Sequence, residues 1–236
     1  MAELLRVDNI ESSYGASQVL FGISIKVGVG EVVTLLGRNG MGKTTTIRSI
    51  MGLMQPHSGE IIFKDQTITR EPSYKVAQAG LGLVPEGRQI FPNLSVYENL
   101  IATASNRNNI KDPWSVEKIY SLFPALAARQ SNAGSQLSGG EQQMLAISRA
   151  LMTNPDLLIL DEATEGLAPL VRDDIWNVLE KLKLDGQSIL IIDKNVDVLC
   201  RIADLHYIIE KGVVVWSGNS TDLQKDEELQ HRYLGV

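Results

Sequence analysis

The sequence is poor in cysteine and in basic residues. Cys200 is the one cysteine among 236 residues, so no internal disulfide can form, and a reducing compartment is favoured. Acidic residues outnumber basic ones by 28 to 22, which gives a net charge of -6. Such a balance offers no general attraction for the phosphate backbone of nucleic acids, and we expect no nucleic-acid partner.

Long apolar segments are also absent. No stretch approaches 18 uninterrupted apolar residues, so the sequence predicts no membrane-spanning helix. The first residues, MAELLRVDNIESSY, lack a basic segment followed by an apolar one, and we expect no signal peptide. Any role at a membrane would therefore depend on a partner. The hydrophobic content of 44% still predicts a substantial folded core.

Short and nearly continuous apolar runs indicate strands that are buried on both faces, as in a parallel sheet. Helix-like segments follow these runs along the chain. The runs are at 32–36, 157–160 and 188–192, and the helix-like segments are at 43–53, 170–184 and 195–203. A repeated order of strand and helix predicts an α/β core.

Other parts of the chain interrupt this order. The N-terminal part and residues 59–68 alternate in the manner of antiparallel strands. Residues 205–217 predict a hairpin with Lys211 and Gly212 in its turn. A more polar and mostly helical block, from about 93 to 136, indicates an inserted subdomain.

A glycine-rich segment, GRNGMGKTT, joins the first apolar run to a helix-like run and matches the P-loop pattern in full. Its glycines allow successive backbone N–H groups to face one anion, and the following helix directs its positive end to the same place. A glycine turn before a helix N-cap is the structural alternative. We expect nucleotide phosphates to contact Gly37, Arg38, Asn39, Gly40, Met41, Gly42, Lys43, Thr44 and Thr45.

Two carboxylates complete this predicted site. The run LLILDE ends in Asp161 and Glu162. Lys43 would reach the β- and γ-phosphates, and Thr44 would ligate Mg²⁺. Asp161 would accept a hydrogen bond from a water on Mg²⁺, while Glu162 would orient or deprotonate the attacking water. A strand that simply ends in an acidic loop is the alternative.

The segment LSGGEQQ opens another predicted helix, in which Ser138 and Glu141 have the spacing of a capping box. Alone, it predicts only a well-capped helix. However, LSGGE followed about twenty residues later by LILDE resembles the signature motif and the following strand of ATP-binding-cassette (ABC) ATPases. The resemblance covers nearly the whole chain.

This resemblance implies an α/β fold with a P-loop NTPase core, a mixed and largely parallel sheet, and an N-terminal antiparallel β-subdomain. It also implies a helical subdomain at about 93–150 within one domain, 1–236.

ATP and Mg²⁺ are the implied ligands. Tyr14 corresponds to the aromatic residue that stacks on adenine, although alone it would be an ordinary strand tyrosine. Ser138, Gly139 and Gly140 correspond to the signature that contacts the γ-phosphate bound by a second cassette, so a single subunit would bind ATP but hydrolyse it poorly.

Three further segments resemble a narrower group, the ATP-binding subunits of branched-chain amino-acid importers (the LivF type). They are VPEGRQIFPNLSVYENL at 84–100, DEATEGLAP at 161–169 and the final YLG. The implied partners are membrane permease subunits and, indirectly, a solute-binding protein, at the cytoplasmic face of the membrane. Glu86 stands where most cassettes have glutamine, and its carboxylate would ligate Mg²⁺. An ordinary surface loop is the alternative for 84–100.

The chain departs from the family pattern near the γ-phosphate. Lys194 stands where most cassettes have a histidine that contacts this phosphate. A lysine can neutralise phosphate charge but cannot relay a proton as histidine can, and a solvated loop lysine is the alternative. Ala163 replaces the usual proline after the catalytic glutamate, which would loosen the loop that carries Glu162. Lys43, Glu162 and Lys194 are the predicted catalytic residues.

The sequence therefore predicts an ATPase subunit that drives an importer, with branched-chain amino acids as the expected cargo. Urea, amides and other small solutes stay open, because a cassette does not touch the cargo. The intact pair of Asp161 and Glu162 argues against a regulatory subunit with weak turnover, although Lys194 and Ala163 keep that alternative open. Soluble ABC ATPases of chromosomes or ribosomes are less favoured, because the chain has no long coiled-coil insertion and only one cassette.

Overall fold

The computed structural model describes residues 2–107 and 109–235. Residues 1 and 236, the predicted bounds of the domain, and residue 108 in the predicted helical block lie outside this part. The strands are β1 (Glu3–Tyr14), β2 (Ser17–Gly28), β3 (Val32–Leu36), β4 (Ser58–Phe63), β5 (Gln66–Thr67), β6 (Leu81–Val84), β7 (Leu157–Asp161), β8 (Ser188–Ile192), β9 (Leu205–Glu210) and β10 (Val213–Gly218).

The α-helices account for most of the remaining ordered structure. They are α1 (Lys43–Ile50), α2 (Ser73–Gln78), α3 (Val96–Thr103), α4 (Val116–Leu122), α5 (Pro124–Ala128), α6 (Gly139–Leu151), α7 (Pro169–Leu184), α8 (Val196–Ile202), α9 (Ser220–Lys225) and α10 (Glu227–Tyr233). Among the described residues, no helix combines the length and the apolar character that crossing a bilayer requires.

The central sheet has the strand order β10-β9-β3-β8-β7-β6. Five neighbouring strands, β9, β3, β8, β7 and β6, are parallel to one another. The edge strand β10 pairs antiparallel with β9. Every residue of β3, β7 and β8 is buried, which explains the continuous apolar runs that predicted these strands. The loops after β3, β6, β7 and β8 therefore lie at one edge, where α/β sheets bind ligands.

A second, antiparallel sheet has the order β2-β1-β4-β5 and confirms the predicted N-terminal β-subdomain. The predicted β9–β10 hairpin is also present. Lys211 and Gly212 form its turn, and both have positive φ, 49° and 77°, as a tight right-twisted hairpin turn requires. A Cβ at Gly212 would lie 1.9 Å from the carbonyl oxygen of Val19, so this turn packs directly against β2.

The predicted ends of two helices were wrong by a few residues. Helix α1 was predicted to reach residue 53 but ends at Ile50, because Gly52 adopts a left-handed φ of 65° that a helix cannot continue through. Helix α8 was predicted from 195 to 203, whereas Asn195 lies outside it and caps it by accepting from the Val198 N–H at 3.3 Å.

The chain between β6 and β7 is helical, as predicted for 93–136, and contains α3 to α6. Helix α3 packs against α6, and the core between them includes Val96, Leu100, Leu145 and Leu151, each fully buried. These helices connect the loop after β6 to the segment that begins at Ser138. The division of this region into a subdomain at about 93–150 stays a prediction.

Candidate active site

The loop between β3 and α1 has a backbone that only glycine allows at its first position. Gly37 has a φ of 132°, and a Cβ there would lie 2.3 Å from the carbonyl oxygen of Ile209 in β9. Gly42, the N-cap of α1, has a left-handed φ of 110°. These conformations turn the loop into the start of the helix and leave the first N–H groups of α1 for an anion.

Lys43 folds back over this loop. Its Nζ donates to the carbonyl oxygens of Gly37 at 2.7 Å and Arg38 at 3.0 Å. Burial lowers the pKa of the Lys43 ammonium, while the nearby Glu162 and Asp161 carboxylates act in the opposite direction. The ammonium is thus held at the loop by acceptors that phosphate oxygens can replace.

The other loop residues have varied surroundings. Arg38 donates from Nη2 to the carbonyl oxygen of His231 in α10 at 3.2 Å, whereas Asn39 is exposed. The carbonyl oxygen of Met41 accepts from the Gly212 N–H at 2.9 Å, and the Thr45 side chain is buried. The loop is therefore fixed against the β9–β10 turn and the C-terminal helix.

Thr44 and Asp161 meet across the sheet edge. The Thr44 hydroxyl donates to Asp161 Oδ1 at 3.2 Å. Burial raises the pKa of the Asp161 carboxyl, and the hydrogen bond from Thr44 partly offsets this rise. Hydroxyl and carboxylate oxygens are the hard ligands that Mg²⁺ prefers, so this donor set fits the metal, directly or through a water.

Glu162 directly follows β7 and has an unusual backbone. Its φ is 51°, and its N–H donates to the carbonyl oxygen of Ile192 in the adjacent strand at 2.9 Å. Ala163 after it is compatible with this conformation, since a proline would push the preceding residue toward an extended backbone. A hydrogen bond with Glu165 and partial burial raise the pKa of Glu162 to about 7. A carboxyl poised near neutral pH suits a general base.

Lys194 lies beside Glu162 and is not an isolated loop lysine. Its Nζ is 4.0 Å from Glu162 Oε2 and makes a closer ion pair with Glu165. Sequence reasoning assigned no role to Glu165, although the residue stands in DEATEG, three positions after Glu162. Hydrogen bonds with Glu162 and Lys194 lower the pKa of Glu165.

Glu86 is exposed and follows β6. Carboxylate oxygens of Glu86, Glu162 and Glu165 all lie within 4.8 Å of one another. The structure therefore groups Glu86 with these two glutamates, while Thr44 and Asp161 share a separate hydrogen bond. The effect of Glu86 on Asp161 is to raise the pKa of that carboxyl by repulsion, which is a smaller influence than burial. Its role as a metal ligand stays a prediction.

The signature segment forms the predicted capping box. The Ser138 N–H donates to Glu141 Oε2 at 2.8 Å, and the Glu141 N–H donates to Ser138 Oγ at 3.3 Å. Gly139 lies under the Arg88 side chain, and a Cβ at Gly140 would be 2.5 Å from Val171 Cγ1. Within the described residues, no hydrogen bond or ion pair joins Ser138, Gly139 or Gly140 to the loop at 37–45.

Tyr14 ends β1 and is 45% exposed. The Arg48 guanidinium of α1 lies 5.9 Å from the centroid of its ring. Tyr14 thus stands, partly exposed, beside the helix that follows the glycine-rich loop. Its stacking on adenine stays a prediction.

A family model described as "ABC transporter" matches residues 20–165, which is more than half of the chain. This chain belongs to the ABC transporter ATPase family. The match includes the glycine-rich loop, the signature segment and the Asp161–Glu162 pair. Membership confirms the resemblance drawn from the motifs, and the chain is an ATPase subunit of a transporter.

Individual proteins extend the match to the whole chain. This chain is 36% identical to the high-affinity branched-chain amino acid transport ATP-binding protein BraG of Pseudomonas aeruginosa. The match covers 98% of this chain and 100% of BraG. It is 34% identical to the lipopolysaccharide export system ATP-binding protein LptB of Escherichia coli, over 98% of this chain and 97% of that protein.

A solved ATP-binding cassette of an ABC transporter, in its ADP conformation, has the same fold. Its TM-score is 0.84 with 29% sequence identity, and the match covers 100% of both chains. The predicted fold class, with an antiparallel β-subdomain beside a parallel sheet, is therefore confirmed. The nucleotide in that structure also agrees with the adenine-nucleotide ligand that the resemblance implied.

Proposed function

We propose that this ABC ATPase is the motor subunit of an importer for branched-chain amino acids. The convergence of Lys43, the Thr44–Asp161 pair and Glu162 at one sheet edge supports ATP hydrolysis at this site. The similarity to BraG along the whole chain, with the PEGR and DEATEGLAP segments, supports the cargo.

Each side chain has a separate task in this proposal. Lys43 and the N–H groups of 37–45 bind the phosphates, and Tyr14 stacks on adenine. Thr44, Asp161 and Glu86 would hold Mg²⁺, which when bound would neutralise charge on the phosphates. Glu162 orients and deprotonates the attacking water, while Lys194 neutralises the γ-phosphate.

A second cassette, identical or related, completes the site with its Ser138, Gly139 and Gly140. ATP binding favours the closed dimer, and hydrolysis reopens it. Permease subunits dock near residues 86–97 at the cytoplasmic face of the membrane, and a solute-binding protein acts indirectly through them. Exposed Phe91 and Tyr97, at 44% and 47%, give this surface apolar contact area.

The cargo and the direction of transport belong to the proposal. The identity to the lipopolysaccharide export protein, 34%, is nearly as high as the identity to BraG, 36%. Uptake of urea or amides uses related cassettes, and weak turnover in a regulatory subunit is a further alternative. The PEGR and DEATEGLAP segments favour amino-acid uptake over these.

The test is reconstitution of the chain with the permease and solute-binding proteins of its own transporter. We expect leucine-loaded binding protein to stimulate ATP hydrolysis and leucine uptake, and the Glu162→Gln variant to abolish both while retaining nucleotide binding. Stimulation by urea or acetamide but not by leucine would reassign the cargo. Movement of a substrate outward would refute import.

A further inference from the structure

The loops after β7 and β8 hold a pair of opposite charges beside Glu162. The Lys194 ammonium makes an ion pair with the Glu165 carboxylate and lies 4.0 Å from Glu162 Oε2. The Glu165 N–H donates to the carbonyl oxygen of Glu162 at 3.3 Å, so one turn places both carboxylates together. Because β7 and β8 are adjacent parallel strands, the sheet brings the two loops side by side.

Neighbouring residues lock these loops. The Thr164 hydroxyl donates to Asp193 Oδ2 at 2.5 Å, and the Asn195 N–H donates to Asp193 Oδ1 at 3.0 Å. Thr164 and Asp193 are buried, with 3% and 8% of their surface exposed. The two loops are therefore joined by a buried hydrogen bond between Thr164 and Asp193, and a part-buried one fixes the backbone after Lys194.

The ion pair itself faces solvent. The side chains of Lys194 and Glu165 are 53% and 48% exposed, and they border an open cavity of about 490 Å³ that Glu162 also lines. An exposed ion pair is weak because water and salt screen it. The Lys194 side chain can therefore leave Glu165 without any movement of the locked backbone.

The two lysines of the site differ in this respect. Lys43 is buried and held by two backbone carbonyl oxygens, whereas Lys194 is paired with the exposed carboxylate of Glu165 and lies farther, at 4.0 Å, from that of Glu162. A triphosphate carries more negative charge than a single carboxylate and can compete for the same ammonium. A bound triphosphate can therefore break the ion pair of Lys194 with Glu165 more easily than it can break the hydrogen bonds of Lys43.

We propose that Glu165 is a positioning residue that holds Lys194 beside Glu162 and gives it up to the γ-phosphate of ATP. The inference rests on the proposed function, in which Lys194 contacts that phosphate. ADP has no γ-phosphate and leaves the ion pair in place. Glu165 thereby weakens the preference of the site for ATP over ADP, because the ion pair must break when ATP binds.

The experiment measures binding of the magnesium complexes of ADP and of a non-hydrolysable ATP analogue to the full chain. The variants are Glu165→Gln, Lys194→Gln and the double variant, which form a double-mutant cycle. We expect Glu165→Gln to raise affinity for the ATP analogue by about twofold to fivefold and to leave ADP unchanged. In the Lys194→Gln chain, the same substitution should have no effect on either ligand.

Two matched variants separate a specific role from loss of negative charge. Asp197→Asn removes a carboxylate from the same cavity and should leave the ratio of the two affinities unchanged. Glu165→Asp keeps the charge and should give a ratio nearer the unsubstituted chain than Glu165→Gln does. Both variants retain an exposed polar side chain and should fold.

The outcomes distinguish this inference from the proposed function. If neither nucleotide binds, the proposed function fails and the inference fails with it. If both bind but Glu165→Gln leaves the ratio unchanged, only the role of Glu165 is refuted. An equal effect of Glu165→Gln with and without Lys194 would also refute it, because the effect would then be one of general charge.

Discussion

At the scale of single residues, His206 ties the strand before the P-loop to the C-terminal part of the chain. Its Nδ1 is 2.7 Å from the Thr34 hydroxyl oxygen, and its Nε2 is 2.9 Å from the Ser220 hydroxyl oxygen. The ring is fully buried, and burial lowers the pKa of His206 from 6.5 to about 4. The native chain therefore keeps this imidazole neutral where an unfolded chain would protonate it.

This difference predicts a loss of stability in mild acid. The stabilising contribution is fully present above the unfolded pKa of 6.5 and is lost as pH falls toward the folded value of about 4. We expect up to about 3 kcal/mol of unfolding free energy to depend on pH in this window. Denaturant titrations from pH 7 to pH 4 should show a shallower decline for His206→Gln. Equal slopes for both chains would contradict the assignment.

Two P-loop glycines provide a second prediction at this scale. A Cβ at Gly37 would lie 2.3 Å from a backbone oxygen, while a Cβ at Gly40 would meet nothing within 4 Å. Gly40→Ala should cost about 1 kcal/mol of stability through its left-handed φ alone. Gly37→Ala should cost about 3 kcal/mol or more, because β9 must also move. Thermal or urea unfolding measures both, and similar losses would argue against the described approach of Ile209.

At the scale of elements, the start of α6 is a capped helix end and, in the proposed dimer, also part of the ATP site. Ser138 Oγ accepts from the Glu141 N–H at 3.3 Å, as Ser115 Oγ accepts from the Lys118 N–H at 3.3 Å at the start of α4. Substitution of either serine by alanine removes one helix cap. Each should cost about 1 kcal/mol of unfolding free energy.

The two variants should differ in activity. Ser138→Ala should also reduce the rate of ATP hydrolysis, because Ser138 contacts the γ-phosphate of the second cassette in the proposed dimer, whereas Ser115→Ala should hydrolyse ATP at the unsubstituted rate. Steady-state phosphate release, measured well below the unfolding temperature of both variants, makes the comparison. Equal reductions in rate would show that the Ser138 effect is one of helix stability.

Some elements could be predicted closely from the sequence and others could not. The runs at 32–36 and 188–192 match β3 and β8 residue for residue, because strands buried on both faces need continuous apolar sequence. The end of α1 depends on Gly52, whose position against the Glu71 carbonyl is a tertiary contact. The ion pair of Glu165 with Lys194 joins residues 29 apart and depends on strand order, which local pattern does not contain.

At the scale of the whole molecule, the central sheet brings the catalytic loops to one edge but leaves the signature segment separate from them. Among the described residues, Ser138 is bonded to its own helix, and Lys43 is bonded to its own loop. The motifs predicted the family, because the residues that define them are the ones expected to contact the nucleotide. Partner and cargo could not be predicted in the same way, because they depend on surfaces of other chains.

The most direct test of ATP hydrolysis at this site is magnesium-dependent phosphate release, compared between the unsubstituted chain and Glu162→Gln over a range of protein concentrations. We expect the rate per chain to rise with protein concentration as dimers form. We also expect Glu162→Gln to lower the rate by at least about 100-fold while ATP binding persists. A Glu162→Gln chain that hydrolyses ATP as fast as the unsubstituted chain would contradict the proposed role of Glu162 in hydrolysis.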